Sequence, residues 1–119
     1  MKQPGQIALI PFPFTDLSAA KLRPVVLLCR TPGRFDDWLV CMISSRLQQA
    51  EPGFDEIISQ RDMDYTTSGL KVSSVLRLSR LAVVDGSILV GAIGSIGKER
   101  LAHIRKRIAG WIEGKEVIS

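Results

Sequence analysis

Arg23 is the residue of this chain best placed to do chemistry. It stands directly before Pro24 in Lys21-Leu22-Arg23-Pro24, and a residue ahead of proline is pushed towards extended backbone. The apolar run Val25-Val26-Leu27-Leu28 follows, so the guanidinium is expected at the threshold of a buried strand. A planar fork of donors held on a rigid strand edge can grip two phosphate oxygens at once. Upstream, Pro11-Phe12-Pro13-Phe14 interrupts the β-prone run Ile7-Ala8-Leu9-Ile10. Two prolines fix φ and withhold two donors, so the first strand is expected to stop there. Phe12 and Phe14 could stack on splayed bases, plug the mouth of a core, or meet a partner subunit. Thr15 and Asp16 are suited to closing the turn on backbone amides.

Other chemistry is poorly provided for. The single histidine, His103, falls on the polar side of the terminal helix and reads as solvated. No Ser-His-Asp set, Gly-x-Ser-x-Gly motif or phosphate-cradling glycine loop is present. One histidine with Cys29 and Cys41 makes no zinc site, so no metal or other cofactor is expected. The two cysteines could face each other across a hairpin, yet one pair in a cytosolic chain is normally reduced.

These residues must be positioned by a β-rich body. Turn signals at Thr31-Pro32-Gly33 and Glu51-Pro52-Gly53 separate short apolar runs, predicting strands at 6–11, 23–30, 38–44, 56–59, 73–78, 81–84 and 90–96. Asp62 to Gly69 reads as a surface loop. One helix is predicted over Lys98–Ile112, where Leu101, Ile104, Ile108, Trp111 and Ile112 form a stripe and Gly114 a stop. With 119 residues and 45% apolar composition, one domain spanning 1–119 is expected. No apolar run reaches the roughly 18 residues of a membrane span, and no signal sequence opens the chain, so a cytoplasmic location is the expectation. Of the net charge of +4, three units fall within residues 98–113. That excess reads as a polyanion patch or, more simply, as the wet face of the helix.

The stretch Gly5-Gln6-Ile7, Pro11 to Asp16 and Lys21-Leu22-Arg23-Pro24 resembles the start of the MazF/PemK-like toxin family, related in fold to CcdB and Kid. Met42-Ile43-Ser44-Ser45 and Leu70 to Ile96 continue the likeness. The resemblance implies a mainly β fold with a C-terminal helix, an SH3-like small barrel that works as a homodimer. It implies a metal-independent endoribonuclease toxin acting on single-stranded RNA, silenced by a cognate antitoxin protein. Cleavage of that kind uses the ribose 2′-hydroxyl as nucleophile, so the protein need only align the attack, neutralise charge and move protons.

Residue by residue, the family's catalytic arginine corresponds to Arg23. A guanidinium is a poor base, so Arg23 is assigned to the phosphate. Ser44 stands where the family has a catalytic threonine, keeping the hydroxyl and losing the methyl group. Ser45 is adjacent, but strand alternation would turn it to the other face. Lys21, Ser45, Arg46 and Arg80, with Phe12 and Phe14, are the RNA-binding candidates. Where the family has a glutamine and then Arg-Thr, this chain has Arg80 and Ala82-Val83, which favours backbone contact over base reading. Two alternatives share the fold: a CcdB-like gyrase inhibitor acting through Trp111 and Ile112, and a degenerate member without turnover.

Overall fold

Short apolar runs punctuated by Gly, Pro and Asp become strands, and the one 3.6-residue periodicity becomes a helix. The computed structural model describes residues 2–12 and 21–115, with only the backbone of Phe12. In order the elements are β1 (Gln6–Phe12), β2 (Lys21–Arg30), β3 (Asp37–Ser44), β4 (Glu56–Ile58), α1 (Tyr65–Ser68), β5 (Ser74–Asp85), β6 (Ala92–Ser95) and α2 (Lys98–Ile112). Short 3₁₀ turns occur at Leu47–Gln49 and Gly86–Ile88. The strands form one curled antiparallel sheet in the order β4-β5-β3-β2-β1-β6.

Alternation along each strand gives the sheet two apolar faces. One carries Ile7, Val26, Leu28, Cys41, Ile43, Leu76 and Leu78, and α2 covers it with Ile104 and Ile108. Each of those isoleucines contributes about 2 kcal/mol by burial. The other carries Ala8, Ile10, Val25, Leu27, Trp38, Val40 and Val84. The helix bounds match the periodicity, but its apolar stripe runs out early. Trp111 stands edge-on to Phe54 at 5.7 Å, and both Trp111 and Ile112 are exposed.

Four expectations need correction. β1 runs through Pro11 to Phe12, because β6 accompanies it only to Ala8. Among the described residues no strand pairs with Pro11 on the β6 side, so it gives up no ladder bond there. The two strands expected at 73–78 and 81–84 are one strand, β5, interrupted by a bulge. The expected loop at 62–69 contains α1, which Gly69 ends at φ +75; a Cβ there would run into the carbonyl of Ile93. Cys29 and Cys41 are not cross-strand partners, since Cys29 pairs with Leu39 and Cys41 with Val26, and both are free.

The basic helix is corrected as well. Arg100 reaches Glu56 (2.9 Å), Asp62 (3.2 Å) and Asp64 (2.8 Å), with only 16% of its side chain exposed. Arg105 Nε donates to the Leu28 carbonyl at 2.9 Å, and Arg107 donates to the carbonyl of Phe54. Three of the five helix cations thus fasten α2 to the sheet, although Arg105 also stays exposed to water. His103 is tied too: its Nδ1 lies 2.6 Å from Glu56 Oε2, and Arg107 Nη2 donates to its Nε2 at 3.3 Å. Among the described residues no helix is long and apolar enough to cross a membrane.

Candidate functional site

The ladder between β2 and β3 sets Val25 opposite Met42. Two residues further on, with unchanged side-chain parity, Arg23 and Ser44 come opposite each other where the ladder opens. Both line one concavity of about 880 Å³, on the face that α2 leaves uncovered. Met42, Leu81 and Ala82 supply apolar lining, and the segment from Gly69 to Val72, with Ile93, forms another wall.

The charge on this surface is one-sided. Arg23, Arg46, Lys71, Arg77 and Arg80 line it, and no Asp, Glu or His does so among the described residues. Such a surface concentrates polyanions. It offers donors and positive charge for a developing oxyanion. Among the described residues no cluster of His, Cys, Asp or Glu could hold a metal.

Of the residues singled out from the sequence, Arg23, Ser44, Ser45, Arg46 and Arg80 share this concavity. Ser45 was expected on the opposite face, but β3 ends at Ser44 and alternation does not extend past a strand's end. Lys21 is exposed on β2 and is not part of the lining. Phe14, Thr15, Asp16 and the side chain of Phe12 lie outside the described residues. Trp111 and Ile112 belong to α2, away from the concavity.

Two lining cations were not singled out. Arg77 interrupts the apolar run Val75-Leu76-Arg77-Leu78, and a lone charge inside a buried strand was the available signal. Arg77 pairs with Met42, one row along the sheet from Ser44. Its Nε is buried and has no hydrogen-bond partner among the described residues, which costs about 1–3 kcal/mol. Lys71 follows α1 and carries no local signature.

Ser44 is oriented on both sides. Its Oγ donates to Gln49 Oε1 at 2.7 Å and accepts the Arg46 N–H at 3.1 Å. Gln49 comes from the 3₁₀ turn just after β3, so the contact is local.

The wall opposite is held from α2. Asp64 accepts Arg100 Nε at 2.8 Å and the Gly97 N–H at 2.9 Å. Burial pushes the Asp64 carboxyl up, but Arg100 and the Gly97 N–H outweigh it and hold the group below the usual carboxylate range. Burial likewise opposes the Arg100 charge, and the surrounding carboxylates more than compensate, leaving its pKa raised.

The model of the PemK-like, MazF-like toxin of type II toxin–antitoxin systems matches residues 3–112. The fold is similar to that of the Mycobacterium tuberculosis toxin MazF-mt6, with a TM-score of 0.66 at 17% identity, covering 93% of this chain and 98% of that one. It is also similar to an endoribonuclease in complex with its cognate antitoxin from Mycobacterial species, with a TM-score of 0.63 at 10% identity, covering 95% and 96%. No curated protein sequence matches the chain.

Proposed function

Because this chain belongs to the PemK-like, MazF-like toxins of type II toxin–antitoxin systems, we propose that it is a cytoplasmic endoribonuclease cutting single-stranded RNA at short sequences. The observation that carries this reading is the placement of Arg23 and Ser44 in one groove with four further cations and no acid among its described lining. The likeness to a solved endoribonuclease adds the same fold.

The chemistry follows from what the groove holds. The RNA brings its own nucleophile, the 2′-hydroxyl next to the scissile bond. Arg23 grips the non-bridging oxygens and stabilises the phosphorane as charge builds. The Ser44 hydroxyl leaves Gln49 and donates to the same phosphate. Arg77 adds a further positive charge to the same wall. The 2′-hydroxyl gives its proton to solvent base, and the O2′–P bond forms as the P–O5′ bond breaks. The departing 5′-oxygen takes a proton from water, leaving a 2′,3′-cyclic phosphate and a 5′-hydroxyl with no metal required. Arg46, Lys71 and Arg80 track neighbouring phosphates, and Lys21 extends the path along β2. No aromatic side chain lines the groove among the described residues, so base stacking falls to Phe12 and Phe14.

All 119 residues act as one unit, paired as a homodimer. A cognate antitoxin silences it by laying an acidic segment over the same cations, competing with RNA for charge. Sequencing the RNA ends after limited digestion tests the reading. Cyclic-phosphate and 5′-hydroxyl ends at a recurring short sequence support it. Intact RNA, or 3′-hydroxyl ends, overturn it.

A further inference from the structure

The bulge in β5 decides what faces the groove. Against β3, Leu81 pairs with Cys41 while Arg77 pairs with Met42, so Leu78, Ser79 and Arg80 have no partner on that strand. An odd number of unpaired residues reverses the side-chain parity of everything beyond them. Extending the first register unbroken would set Arg80 opposite Met42 and Leu78 opposite Ser44. Arg77 would then share the face of Ile43, under α2, and Leu78 would face the groove. The observed register does the opposite. Leu76 and Leu78 are fully buried in the helix-covered core, and Arg77 lines the groove.

Such a break leaves backbone groups without ladder partners, and one peptide unit is held at both ends by side chains. The Leu78 N–H donates to Asp55 Oδ1 at 2.9 Å. The Arg77 carbonyl, on the same peptide, accepts from Cys41 Sγ at 3.2 Å. Asp55 is itself aimed by the Glu51 N–H, which donates to its Oδ2 at 2.9 Å. Burial first, and the Asp55 charge second, push the Cys41 thiol up to about 12; it remains a protonated donor. Neither Asp55 nor Cys41 lines the groove.

We propose that Asp55 and Cys41 are positioning residues: by clamping the 77–78 peptide they fix the bulge that presents Arg77 to the substrate backbone, on the same face as Arg80. The clamp itself stands on backbone geometry, and its consequence for substrate rests on the groove being the RNA path.

Two readouts separate these layers. Amide hydrogen exchange at Leu78 reports the clamp without any RNA. The salt dependence of binding to a 2′-O-methyl single-stranded RNA, which cannot be cleaved, counts the cations engaged at about 0.7 in slope per phosphate contact. In Asp55→Ala, Leu78 exchange should accelerate about tenfold, as loss of one hydrogen bond implies. The slope should fall by about 0.7, one contact's worth, because Arg80 keeps the groove face in the unbroken register. Asp55→Asn, which retains an acceptor for Leu78, should restore both. If Asp55→Ala does not fold, Cys41→Ala compared with Cys41→Ser takes the same two readouts, serine retaining the donor. Folded alanine variants with wild-type exchange and slope overturn the proposal, as does an asparagine variant no better than alanine. A wild type that fails to bind the RNA removes the functional reading, while Leu78 exchange still decides the clamp.

Discussion

Ser44 Oγ donates to Gln49 Oε1 across 2.7 Å, and the Arg46 N–H fills its acceptor side. The hydroxyl is therefore parked, pointing at a neutral acceptor that a phosphate oxygen, bearing charge, can outbid. Removing the hydroxyl should lower kcat/KM for RNA by about 10²–10³-fold, as loss of one transition-state donor does. Ser44→Thr should stay close to wild type, and Gln49→Leu should not reduce the rate. Steady-state cleavage of a short fluorogenic RNA by the three variants measures this. Full activity in Ser44→Ala would exclude the hydroxyl from the reaction.

The two sets of cations should respond differently to salt. Arg46 and Arg80 line the groove without an acid beside them, whereas Arg105 is spent on the Leu28 carbonyl. Arg46→Ala or Arg80→Ala should each reduce the slope of log K against log salt by about 0.7 for single-stranded RNA. Arg105→Ala should leave the slope unchanged and lower the melting temperature instead. Equal slope losses in all three would place the RNA path across α2 as well.

The acid side of the stability curve should report on Asp64. Its folded pKa lies below the ordinary value of 3.8, so folding favours the ionised form. That contribution is complete above about 3.8, where the unfolded carboxyl is also ionised, and is lost as pH falls through the lower folded value. Asp64→Asn should be less stable at pH 7 and should lose less stability than wild type as pH falls below about 4. Arg100→Ala strands the carboxylates it bridges, costing about 3 kcal/mol at neutral pH. Thermal melts across pH check both, and identical acid slopes for wild type and Asp64→Asn would contradict the assignment.

Rate should depend on pH in a simple way. The described lining contains no Asp, Glu or His, the usual carriers of acid–base catalysis. The account predicts that kcat/KM rises between about pH 5 and 8 without a bell-shaped maximum, following ionisation of the 2′-hydroxyl. His103, bound to Glu56 on α2, should be replaceable by Gln without altering the profile. A bell centred near neutrality would require an acid–base pair contributed from elsewhere.

How much of this was legible in the sequence depended on whether the controlling physics was local. The bounds of α2 followed from periodicity and from Gly114. Arg23 stood out because Pro24 and four apolar residues fix its setting. Register was not legible. The split expected between 78 and 81 marked a real discontinuity, but nothing in Leu78-Ser79-Arg80 says that β3 skips them, because the groups holding the bulge, Cys41 and Asp55, are far away in sequence. Arg77 was passed over for the same reason, since its face depends on that skip. Arg100 is not on the wet face that the helix pattern suggests, because its partners Glu56, Asp62 and Asp64 are contributed by β4 and the segment after it. A charge pattern on one helix shows its own face and not the surface packed against it.

The central claim is that Arg23 carries the charge of the transition state, and it is tested by cleaving an unstructured RNA in EDTA with wild type and Arg23→Ala. The account predicts cleavage by the wild type despite the chelator, and a loss of about 10²–10³-fold in kcat for the variant, with circular dichroism and melting temperature unchanged. Equal cleavage by the two proteins, or activity abolished by EDTA and restored by a divalent cation, would contradict it.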